Sequence, residues 1–126
     1  MQGASAIASV LKVHRGAGIR ILVVWEKILT TDWRSPGTSV LARIPDPRAV
    51  QFWDPGLLVS KAAQPVLAAD PSRVTGKSSL VTGKYVWDFV AVYPPGTRWE
   101  SAFPQPKFSG APVADVTMQL SDQLPV

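Results

Sequence analysis

Twelve prolines and nine glycines punctuate this chain of 126 residues, more than the roughly 12% that the two types contribute to an average globular protein. Proline lacks an amide hydrogen and its ring fixes φ, so each one inside a helix removes a backbone hydrogen bond. Together with the glycines, the prolines argue against long uninterrupted helices. Hydrophobic residues make up 46% of the chain and charged residues only 17%, which is enough apolar surface to build a core. The length fits one domain over residues 1–126, with residues 1–17 as an N-terminal lead-in or helix and 119–126 as a polar tail.

Between the prolines the apolar residues fall into recognisable periods. Residues 4–13 read as an amphipathic helix or frayed lead-in. Residues 19–29, centred on Ile21-Leu22-Val23-Val24-Trp25, form a near-continuous β-branched run typical of a strand buried on both faces. Ser35 and Pro36 suit the start of a helix carrying Val40, Leu41 and Ile44, which Pro45 and Pro47 stop. Residues 49–53 alternate as a strand. Asp54 then stands where it can cap a helix over 56–63, with Pro55 in its first turn and Pro65 as its boundary. Residues 69–84 read as a loop, in which Val-Thr-Gly-Lys occurs twice and suggests a small hairpin. Residues 85–93 give a further strand, and 111–118 an edge strand because of Pro112. Helices placed between strands predict parallel crossovers, hence a small α/β sandwich with a mixed sheet flanked by helices. The alternative is a ferredoxin-like α+β arrangement, in which 19–29 would pair antiparallel with 85–93.

Composition closes off several chemistries. The chain has no cysteine, which excludes disulfides, thiolate zinc sites, iron–sulfur clusters, thiol nucleophiles and dithiol exchange. His14 is the single histidine, so no two-histidine metal motif can form; it reads as a surface residue, and no metal or cofactor is expected. The formal charge of +4 is dispersed, without the cationic stripe of a nucleic-acid surface. The first residues lack the basic region of a secretory signal. No apolar run reaches the ~18 residues of a membrane span. The expectation is a cytoplasmic protein that binds neither nucleic acid nor membrane. Gly76-Lys77-Ser78 and Gly16-Ala17-Gly18 lack the flanking elements of phosphate-binding loops and read as turns.

The element order resembles the thioredoxin-like fold. The wording Val23-Val24-Trp25-Glu26 followed by Thr31-Asp32-Trp33-Arg34-Ser35-Pro36, then Phe52-Trp53-Asp54, then Val86-Trp87-Asp88-Phe89, is similar to a group of bacterial thioredoxin-like proteins. The resemblance spans residues 18–117. In thioredoxins a pair of cysteines follows the first core strand and opens the first helix. Here that stretch is residues 25–36 and holds no sulfur, so the resemblance implies the frame without the dithiol chemistry. The family's cis-proline is not evident at Lys84-Tyr85-Val86, where it would be expected.

Candidate site residues gather at the ends of the strands. Trp25, Asp32, Trp33, Arg34, Trp53 and Asp54 would lie toward the carboxyl edge of a parallel sheet, where α/β folds place their ligand crevices. Together with Glu26 they could form an aromatic-lined binding pocket. Glu26, its pKa raised by burial near Trp25, and Asp32 are the candidate catalytic carboxylates. The leading expectation is a redox-inactive binding or interaction module. A small carboxylate enzyme is the second reading. A homodimer built through an edge strand near residues 113–118 is the third.

Overall fold

The computed structural model of the chain describes residues 2–26 and 37–125. Helix α1 (Gln2–Val13) buries Val10 and Leu11. Strand β1 (Ile21–Glu26) pairs in parallel with β2 (Ala49–Asp54), in register from Ile21 opposite Ala49 to Glu26 opposite Asp54. The short helix α2 (Thr38–Leu41) lies between them in the chain. Both strands alternate in exposure, so the expectation of a strand buried on both faces does not hold for β1.

Helix α3 (Leu58–Ala69) follows β2 and contains Pro65 rather than ending at it. Pro65 is exposed, so water can satisfy the carbonyl that its missing amide leaves free. A 3₁₀ turn (Pro71–Arg73) leads to β3 (Val74–Gly76), α4 (Ser79–Thr82), β4 (Val90–Val92) and β5 (Phe108–Ala111). These three strands form a second sheet in the order β3-β5-β4, with β3 parallel and β4 antiparallel to β5. A second 3₁₀ turn (Val113–Asp115) and α5 (Thr117–Gln123) follow. The chain is therefore of the mixed α/β class, with two small sheets. The antiparallel pairing of 19–29 with 85–93 that a ferredoxin-like arrangement requires is absent among the described residues, because β1 pairs with β2 and β4 with β5.

Several expectations are corrected. The stretch 69–84 is not a loop with a hairpin: its first Val-Thr-Gly is β3, completed by β5 from far along the chain, and its second begins within α4. The strand expected at 85–93 shrinks to three residues. The Trp87 amide donates to the Leu80 carbonyl at 2.9 Å, and Asp88 takes a left-handed backbone with φ of 50°. The edge strand expected at 111–118 is instead the end of β5, a 3₁₀ turn and the start of α5. Val113, Val116 and Leu120 are buried at helical spacing there. The polar tail is likewise helical to Gln123. The peptide bond between Ala111 and Pro112 is cis.

Every residue of β5 is buried. It lies between two core clusters, one of Ala63, Leu67, Val74, Val81 and Ala111 and the other of Val10, Phe108, Val116 and Leu120. Burying side chains of this size contributes about 1.5–3 kcal/mol each.

Candidate functional site

The parallel register sets two acids side by side. Glu26 and Asp54 are opposite one another at the last pair of β1 and β2, and each carboxyl shifts the titration of the other. Asp54 also holds the start of α3: its Oδ1 accepts from the Leu58 amide at 3.1 Å and its Oδ2 from the Val59 amide at 2.9 Å. Amides at a helix start have no partner within the helix, so a carboxylate there is stabilising. The helix expected over 56–63 with Asp54 at its cap starts instead at Leu58 with Leu57 as its N-cap, and Asp54 serves the first amides from three residues before that cap. Between them Leu57 turns the chain with a φ of 57°.

Glu26 reaches the same helix from the other strand. Its Oε2 accepts from the Ser60 amide at 3.1 Å, and its Oε1 accepts from the Ser60 hydroxyl. Ser60 is buried, and its Oγ accepts in turn from the Val86 amide at 3.4 Å. Burial, followed by the hydrogen bond with Asp54, raises the Glu26 pKa above its ordinary 4.5, against the opposing effect of Ser60. Asp54 is pulled the other way. Burial opposes its ionisation, but the Glu26 hydrogen bond and the Val59 and Leu58 amides together hold its pKa below 3.8. The two carboxyls are thus pushed apart, Glu26 becoming the easier of the pair to protonate and Asp54 the harder.

The tryptophans point elsewhere. Successive residues of a strand face opposite sides, so Trp25 and Trp53 lie on the face away from Glu26 and Asp54. On that face the Trp25 Nε1 donates to the Gln51 Oε1 at 2.9 Å, and the Gln51 amide donates to the Leu41 carbonyl at 2.9 Å. Among the described residues the expected aromatic pocket around the acids does not form. Asp32, Trp33 and Arg34 lie outside the described residues. The partner of Glu26 is Asp54, a residue the sequence offered only as a cap and a pocket contact.

The face that carries the acids is otherwise apolar and open. Leu22 is 62% exposed, Val24 37%, Val50 48% and Phe52 48%. The register sets Leu22 beside Val50 and Val24 beside Phe52. An apolar groove also runs between α1 and α5, flanked by Val13 and Met118.

His14 is corrected from surface to buried. Its Nδ1 lies 2.8 Å from the Pro125 carbonyl and its Nε2 2.6 Å from the Ser121 hydroxyl. A carbonyl only accepts, so Nδ1 carries hydrogen and the ring ties α1 to the C-terminal helix. Among the described residues no three His, Asp or Glu side chains gather as a metal site requires, and no helix is long and apolar enough to cross a membrane. Comparison with protein-family models, with curated proteins and with solved structures finds no match.

Proposed function

We propose that this chain is an interaction module without redox activity, built on a thioredoxin-like frame, and that its contact surface is the open face of β1 and β2. One observation carries the reading: Leu22, Val24, Val50 and Phe52 form a continuous exposed apolar face on two parallel strands. Parallel sheets occur almost only with both faces covered, and contiguous apolar surface of this kind marks contact sites. The frame reading is supported by the order β1, α2, parallel β2.

The carboxylate pair favours this reading over a small enzyme. All four oxygens of Glu26 and Asp54 accept hydrogen bonds from the first turn of α3. A general base needs a lone pair directed at substrate; these are directed at the helix that they hold in place.

The test uses anilinonaphthalene sulfonate, a dye that fluoresces on exposed apolar surface. The dilute folded chain binds the dye, and Phe52→Lys removes the signal without altering the far-ultraviolet circular dichroism. Dye binding equal in the variant and the parent overturns the reading.

A further inference from the structure

We infer that Ser121 and His14 act as nucleophile and general base, and that the groove between α1 and α5 takes the acyl chain of an aliphatic ester which this pair hydrolyses. The site draws no residue from the β1–β2 face.

Three groups meet there. His14 follows the last residue of α1, is buried, and brings its Nε2 within 2.6 Å of the Ser121 Oγ. On the other side of the ring the Pro125 carbonyl lies 2.8 Å from Nδ1. A carbonyl has no hydrogen to give, so Nδ1 donates, and in the neutral ring Nε2 is left with the lone pair. The Ser121 hydroxyl therefore donates to Nε2, the direction in which a base removes a serine proton. Nucleophile, base and orienting group within hydrogen-bond reach are the arrangement of a serine hydrolase, which is recognised by geometry and not by order along the chain.

Access separates this pair from a purely structural tie. Ser121 is only partly buried and lines the groove of about 420 Å³ between α1 and α5, a volume within the ~300–1,000 Å³ range of ligand sites. The wall beside it is chiefly apolar, from Val10, Val13, Ala114 and Met118, and such a wall suits an alkyl chain. Thr117, one turn before Ser121 in α5, adds a hydroxyl to the same lining. That hydroxyl is a donor for the carbonyl oxygen as charge develops on it. The Pro125 carbonyl fixes the tautomer but carries only a partial charge, so it stabilises an imidazolium less than a carboxylate does. Esters, which expel their leaving group more readily than amides, are accordingly the substrate class.

In the first step the Ser121 Oγ bonds to the ester carbonyl carbon, and its proton passes to the His14 Nε2. The tetrahedral species then breaks its bond to the alkoxy oxygen, which leaves as the alcohol with the proton from Nε2. Water adds to the acyl carbon in the same way, giving a proton to Nε2 as it attacks. The carbon–Oγ bond breaks, Oγ takes the proton back, and the carboxylic acid departs.

Two measurements on the full chain test the inference. A fluorophosphonate phosphonylates activated serines with loss of fluoride; incubated with it, the parent gains an adduct that mass spectrometry locates on Ser121. With p-nitrophenyl hexanoate the parent releases p-nitrophenolate faster than buffer does. Ser121→Ala and His14→Gln each lower that excess at least about a hundredfold. Labelling needs no variant, so a folding defect in either one does not decide the result. No adduct at Ser121, release no faster than in buffer, or turnover in Ser121→Ala equal to the parent's each overturns the inference. Met118→Lys reads the groove, because it lowers turnover of the hexanoate more than that of the acetate. An equal effect on both esters overturns the placing of the acyl chain.

Discussion

Ser60 bonds both oxygens of Glu26 with its own amide and hydroxyl, across 34 residues of chain. This contact, with the Asp54 cap beside it, fastens the β1–β2 pair to the start of α3. From there the core continues through Ala63 and Leu67 into the second sheet. The paired carboxyls of Glu26 and Asp54 are accordingly a structural device whose effect is on stability.

That device has a sign that pH can read. Glu26 titrates above its ordinary value in the folded chain, so its contribution is complete below about pH 4.5 and is lost as pH rises through the raised value. Asp54 titrates below its ordinary value, so its contribution is present above about pH 3.8 and is lost as pH falls through the lowered one. Stability is then greatest where Asp54 is ionised and Glu26 protonated. Glu26→Gln keeps a neutral donor for Asp54 and an acceptor for Ser60. Its urea midpoint is expected to hold level from about pH 4 upward, where the parent declines. Parallel declines in both proteins would show that Glu26 is not the group responsible.

Removing the hydroxyl isolates the link to α3. Ser60→Ala leaves Oε1 of Glu26 without its donor and the Val86 amide without its acceptor. Buried groups left unpaired cost about 1–3 kcal/mol. The expected loss in urea denaturation is of that order, and Ser60→Cys does not restore it because a thiol is a weak donor. A midpoint unchanged in Ser60→Ala would mean that water replaces the hydroxyl.

How much of this could be read beforehand depended on whether the signal was local. The β-branched run at 21–26 and the alternation at 49–53 show in a window of a few residues, as does the cap at Asp54. Raised titration of Glu26 through burial was legible too, but its partner was not. The Glu26–Asp54 contact exists only because β1 and β2 pair in parallel and in one particular register. The three-residue strand β3 has no period of its own and is recognisable only beside β5. Buried His14 gave no signal because both of its partners lie more than a hundred residues away.

Gly76 shows how closely the strands β3 and β5 approach. Its φ is 87°, and a Cβ there would overlap the Ala111 carbonyl oxygen, which accepts from the Lys77 amide at 2.7 Å. Gly76→Ala must therefore move backbone as well as accept a left-handed conformation, at a cost of about 3 kcal/mol or more. Gly18→Ala is the control, since a methyl group at that position meets nothing within 4 Å. Thermal melts should separate the two variants widely; equal melting temperatures would show that β3 yields without resistance.

Arg48 is expected to resist its most conservative replacement. Its Nη1 donates to the His14 and Ala17 carbonyls at 2.9 Å each, and its Nη2 to the Leu11 carbonyl at 3.3 Å. Its Nε and Nη2 hold Asp46 at 2.9 and 2.7 Å, which lowers the Asp46 pKa to about 2. One planar guanidinium thus satisfies the end of α1 while the Asp46 carboxylate fixes its orientation. Lysine brings a single nitrogen to the same place and cannot reproduce the fork. Arg48→Lys should therefore lower the melting temperature nearly as far as Arg48→Ala, and faster hydrogen exchange should appear first in the last turn of α1. Full stability in the lysine variant would show that charge alone, and not the fork, holds α1 to the start of β2.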